Sequence, residues 1–156
     1  MPGFSKNSVL SFLALGDSYT IGEDVLPAER WPVQLATALQ AQGMAIDNPL
    51  IIARTGWTTS ELAAGIAAEN PQGPFDLVSL LIGVNNQYRG LEIEAYQSEL
   101  RDLLKQAIGF ADERAERTSD VSGHHAVGGV HGGGAGQKGQ SGAGPQKGRF
   151  YALGRR

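Results

Sequence analysis

No cysteine occurs in the 156 residues. That excludes a disulfide framework, a thiolate metal site and a cysteine nucleophile, and it fits a reducing, cytoplasmic compartment. Long apolar runs are also lacking. The run Val9 to Leu15 is broken by Ser11 and leads straight into Gly16-Asp17-Ser18. It is too short for a membrane span and has no small-residue cleavage site behind it. Basic residues are scarce where the chain looks globular. Residues 1–111 hold 6 Lys and Arg against 12 Asp and Glu, a net of −6. An acidic body of this kind argues against nucleic acid as a partner.

The remainder has the opposite composition. Residues 112–156 hold 7 basic side chains against 4 acidic ones, and 12 of the 22 glycines. Apart from Phe150 and Tyr151 they contain no aromatic residue. Such a segment has too little apolar surface to offset the entropy of ordering it, so an unstructured tail is expected over 112–156. The change falls where another strand should begin. Enrichment in Gly, Ala, Arg and His is what GC-rich DNA yields in a wrong reading frame. The tail is therefore read as a frameshift product, with a genuine extension as the other reading.

Residues 1–111 alternate in a regular way. Val9 to Leu15, Pro49 to Ala53 and Phe75 to Ile82 are short, nearly continuous apolar runs, the pattern of parallel strands covered on both faces. Between the first two, Pro32 suits the first turn of a helix, Val33, Leu35, Ala36 and Leu39 have helical spacing, and Gly43 is a plausible stop. Thr58-Thr59-Ser60-Glu61 is a capping-box pattern ahead of Leu62, Ala63, Ile66 and Ala67. Asn70 to Pro74 is a turn-rich link. From about Leu91, a stripe of Ile93, Tyr96, Leu100, Leu103, Leu104 and Ala107 marks a third helix, with Glu92 and Glu94 in its first turn. Strand and helix thus alternate three times. The expected fold is a flavodoxin-like three-layer α/β/α sandwich with a parallel sheet cut down to about three strands.

In such sheets reactive groups gather at the carboxyl ends of the strands. Three candidates stand there. Ser18 follows the first strand; a serine hydroxyl needs a base before it becomes a nucleophile, and most Gly-Asp-Ser tripeptides are turns or caps. Gly56, in Arg54-Thr55-Gly56-Trp57, precedes a helix start, where its N–H can face a developing negative charge; an ordinary left-handed turn is the plainer reading. Asn85, in Gly83-Val84-Asn85-Asn86, can donate to an oxyanion without adding charge, or simply cap a turn. Singly, the structural readings are the stronger. Three candidates at three successive strand ends favour one shared site.

Over about residues 8–111 the chain resembles the SGNH (GDSL-type) hydrolases, close to bacterial esterases and lysophospholipases. The resemblance is carried by Leu15-Gly16-Asp17-Ser18-Tyr19-Thr20-Ile21-Gly22-Glu23, by Ala53-Arg54-Thr55-Gly56-Trp57-Thr58-Thr59-Ser60-Glu61-Leu62, by Ile82-Gly83-Val84-Asn85-Asn86-Gln87-Tyr88, and by Arg30-Trp31-Pro32. It implies a serine hydrolase acting on small-molecule carboxylic esters without a cofactor. Ser18 would be the nucleophile. The oxyanion would be held by the N–H groups of Ser18 and Gly56 and the side chain of Asn85. Asn86 stands where the family usually has aspartate, a mild departure.

The larger departure is at the far end. The family carries Asp-x-x-His late in the chain as base and orienting acid, and no such block is present; Asp120 to His124 is one residue too long. No catalytic histidine or aspartate is assigned, and the chain is expected to be inactive or impaired. The alternative is a non-enzymatic remnant, or a binding module with a basic Gly-rich tail. A weaker third reading has a tail histidine folding back onto Ser18. Other tail patterns carry little. Gly134-Ala135-Gly136-Gln137-Lys138-Gly139 matches a bare dinucleotide pattern with no strand before it or helix after it. His124, His125 and His131 lack the rigid spacing of a metal site.

Overall fold

The computed structural model describes residues 9–111 and 149–154. Three strands, β1 (Phe12–Gly16), β2 (Leu50–Ala53) and β3 (Leu77–Ile82), form the parallel part of the sheet. β1 lies in the middle, with Leu13 opposite Leu50 and Val78, and Gly16 opposite Ala53 and Leu81. This central position explains the unbroken apolar run: all five residues of β1 are buried. β2 is an edge strand, and its first residue, Leu50, is exposed. At the amino-terminal end of the sheet, Asp76 Oδ2 accepts from the Ser11 N–H (2.8 Å) and hydroxyl (3.0 Å), fastening β3 to β1.

A fourth strand, β4 (Arg149–Gly154), pairs antiparallel with β3, so the sheet order is β2-β1-β3-β4. Arg149 stands opposite Ile82 and Gly154 opposite Leu77. The expectation of an unstructured tail therefore does not hold over these six residues, and the sheet is mixed rather than wholly parallel. β3 supplies the reason. It is apolar, and without β4 its outer row of N–H and C=O groups would be unpaired, a situation that recruits any available strand. The rest of the predicted tail, including all three histidines, lies outside the described residues.

Helices cover both faces. On one, α3 (Thr59–Glu69) and α5 (Ile93–Ala111) bury Leu62, Ile66, Leu100, Leu103 and Ala107 against Leu13, Leu15, Ile52, Val78, Leu80 and Ile82. Each such Leu or Ile taken fully from water contributes about 1.5–3 kcal/mol. On the other face, α2 (Trp31–Ala41) packs Ala36 onto Phe12, Ala14 and Ile46, with Trp31 and Leu39 alongside. The predicted stripe on α2 is too wide. Pro32 and Ala36 are buried but Leu35 is exposed, so the buried face of α2 is narrower than the apolar spacing suggests. Two further helices were not expected: α1 (Ser18–Ile21) and α4 (Val84–Tyr88), each a single short segment directly after a strand.

The capping box at α3 is as the sequence predicts. Thr58 accepts from the Glu61 N–H, and Glu61 Oε2 accepts from the Thr58 N–H at 2.8 Å.

Candidate active site

β1 and β3 end level with each other, and α1 and α4 start from those ends. Ser18 is the first residue of α1. Its amide therefore has no intrahelical acceptor and is free to face a ligand. α1 seats tightly because residue 16 is glycine. A Cβ there would overlap the Thr20 hydroxyl and come within 2.8 Å of the Leu81 carbonyl oxygen. Asp17 is the N-cap, its Oδ1 accepting from the Tyr19 N–H at 3.0 Å.

Asp17 is buried, and burial pushes its carboxyl up from the ordinary value, against the opposing pull of the backbone hydrogen bonds. The native form thus binds this proton more tightly than the unfolded chain. Through this group stability falls as pH rises from the unfolded-state value through the raised native one. Asparagine caps as well as aspartate and carries no charge. Asp17→Asn is therefore expected to raise stability at pH 7, with the gain shrinking once Asp17 is protonated in both states. Urea melts at neutral pH and near pH 4 check this; a loss of stability at pH 7 would contradict it.

Gly56 and Asn85 are held together. Gly56 has φ +82°, the left-handed region, in a turn closed by Trp57 N–H donating to Arg54 O at 3.2 Å. Asn85 Nδ2 donates to the Trp57 carbonyl at 2.9 Å, which couples the end of β3 to the loop after β2. An amide NH₂ has two hydrogens, so one remains for a ligand. The Gly56 N–H likewise donates to no acceptor among the described residues. Ser18 and Asn85 line one cleft of about 300 Å³, whose mouth is flanked by Tyr19 and Tyr88. Gly56 is not part of its lining; the structure connects it to Asn85 through the Trp57 carbonyl.

Three residues around the site were missed or undervalued in the sequence. Asn86 is buried, accepts from the Thr59 N–H (3.0 Å) and donates to the Thr59 hydroxyl (2.7 Å), while that hydroxyl donates to Glu99. It anchors α4 to the first residue of α3, with the acidic acceptor supplied from α5 instead of from residue 86 itself. Arg89 reaches both the Gly56 carbonyl and Glu61. Glu61's carboxyl is held below its ordinary value, chiefly by the Thr58 N–H. Only the capping-box spacing signalled Glu61; nothing in the sequence tied it to Arg89.

A family model described as "GDSL-like Lipase/Acylhydrolase family" matches residues 14–119, more than half the chain. The chain belongs to this family. Its match runs past residue 111, where the sequence pattern stops. Among solved structures, the chain is similar to AlinE4, an SGNH-hydrolase family esterase, with 27% identity and a TM-score of 0.56 over 67% of this chain and 56% of that one. It is similar in fold to TesA, with 21% identity and a TM-score of 0.58 over 65% of this chain and 56% of that one. It is also similar in fold to the psychrotrophic esterase EstA from Pseudoalteromonas sp., with 22% identity and a TM-score of 0.51 over 65% of this chain and 55% of that one. The chain thus spans little more than half the length of these structures. No curated protein sequence matches it. Among the described residues, no helix of this family member is long and apolar enough to cross a membrane, and no cluster of His, Asp and Glu is arranged to hold a metal.

Proposed function

We propose that this chain carries the nucleophile and the oxyanion site of a serine hydrolase of small-molecule carboxylic esters. Ser18 Oγ attacks the acyl carbonyl, and the negative charge that develops on its oxygen meets the Ser18 N–H, the Gly56 N–H and the free hydrogen of Asn85 Nδ2. The observation that carries this reading is the shared cleft of Ser18 and Asn85, with Asn85 also tied to the Gly56–Trp57 turn. The sequence holds no Asp-x-x-His to take the serine proton. Losing the base of such a system costs on the order of a million-fold in turnover, while an oxyanion hole alone leaves about a thousand-fold over water. Ester turnover is therefore expected to be severely impaired, and Ser18 is expected to react only slowly, with a strong electrophile.

A fluorophosphonate probe tests this, because its phosphoryl oxygen occupies the oxyanion position and its fluoride leaves as Ser18 Oγ bonds to phosphorus, the serine proton passing to hydroxide or buffer base. Mass spectrometry should place the adduct on Ser18 in folded protein. Folded protein that takes up no label would sink the reading. The non-enzymatic remnant would then be favoured, since it needs no reactive Ser18.

A further inference from the structure

α4 presents two donors one helical turn apart, Asn85 and, just past the helix end, Arg89; residues at this spacing lie on one face. They take two consecutive carbonyls. Asn85 Nδ2 donates to Trp57 O at 2.9 Å, and Arg89 Nη2 donates to Gly56 O at 2.6 Å. The other arm of the guanidinium, Nη1, lies 3.2 Å from Glu61 Oε1. Glu61 is itself fixed by the Thr58 N–H and hydroxyl at the start of α3. Arg89 is thereby a strut between a helix cap and the Gly56 peptide.

Such a strut matters at this residue in particular. Glycine rotates its flanking peptides at little cost, because no Cβ restricts φ. A turn that depended on Gly56 alone would sample orientations with its N–H facing away from the cleft. With the Gly56 and Trp57 carbonyls both held, the peptide that follows Gly56 is fixed, and the Gly56 N–H is left with only rotation at Gly56 itself, where φ is +82°. The ion pair adds little by itself, since its side chains are 49% and 41% exposed; its effect is directional.

We propose that Arg89 is a positioning residue that fixes the Gly56 N–H as an oxyanion donor. The inference rests on the ester-hydrolase reading above and adds to it a residue outside the reacting atoms. Arg89→Gln is expected to slow phosphonylation of Ser18 by about tenfold to a hundredfold, the scale of a roughly 1 Å misplacement. The Gly56 amide resonance should move and its hydrogen exchange quicken, with the melting temperature little changed. Arg89→Lys should recover only part of the rate, because an ammonium cannot present the planar fork that serves two acceptors. Added ethylguanidinium should accelerate Arg89→Ala and leave the wild type unaffected. A purely structural arginine would give none of that rescue.

An unchanged Gly56 resonance in Arg89→Gln, or an unchanged labelling rate despite a shifted resonance, would overturn the proposal. If wild-type Ser18 takes no label, the ester-hydrolase reading fails separately. The Gly56 resonance then still decides whether Arg89 sets the turn.

Discussion

Asn85→Ala is expected to slow labelling of Ser18 by a fluorophosphonate by about a hundredfold to a thousandfold, the usual loss on removing one oxyanion donor. The expectation is large because Asn85 makes two contributions. Asn85 lines the cleft shared with Ser18, where the second hydrogen of Nδ2 would serve a ligand, and the first holds the Trp57 carbonyl. Alanine removes both, and the carbonyl loses its protein partner. Asn85→Asp is nearly isosteric and should be at least as damaging. A carboxylate can donate neither hydrogen bond, and it places negative charge where an oxyanion must form. Second-order labelling rates give the comparison, with circular dichroism to verify folding. A loss of less than about threefold for folded Asn85→Ala would remove this side chain from the site.

Gly16→Ala is expected to be strongly destabilising. The new Cβ would overlap the Thr20 hydroxyl and press on the Leu81 carbonyl, which belongs to the neighbouring strand and cannot move away without disturbing the sheet. Overpacking a rigid interior costs about 1–3 kcal/mol and occasionally more. The upper end applies here because one collision partner is backbone. Domains of this size are stable by only about 5–15 kcal/mol, so a substantial drop in urea midpoint follows. Gly43→Ala provides the contrast. Its φ of +86° imposes a conformational cost, but nothing lies within 4 Å of the added carbon. If Gly16→Ala loses no more than Gly43→Ala, the close seating of α1 on β1 is not what holds Ser18 in place.

Much of this arrangement was legible in the sequence, for identifiable reasons. β1 and β3 announced themselves because strands buried on both faces need apolar residues at every position, not every second one. The start of α3 was legible because a capping box is a local event within four residues. The positions of Ser18, Gly56 and Asn85 just past strand ends were legible because each lies within three residues of the end of an apolar run. What escaped was decided at a distance. Leu35 has helical spacing with Ala36 and Leu39, but what packs against α2 decides which of them is buried. Arg89 and Glu61 are 28 residues apart, and no local pattern pairs them. Asn86 bridges α4 to α3 through Thr59, whose hydroxyl in turn donates to Glu99 on α5, a link between residues 13 to 40 apart that no local pattern signals. β4 was lost in the average composition of its surroundings. Six residues suffice for a strand when an apolar edge is waiting for them.

The two cores are unequal, and this bears on how the molecule opens. Among the described residues, twelve buried ones form the cluster under α3 and α5, against four under α2. Local opening follows the thinner packing first. Thermal fluctuations should therefore lift the α2 layer away while the opposite layer stays closed. Gly56, Asn85 and Asn86 belong to a polar mesh braced by α3, α4 and α5, so that side of the candidate site would ride out such excursions. Ser18 sits on α1, just past the end of the central strand, and the α2 side of that strand would be covered only intermittently.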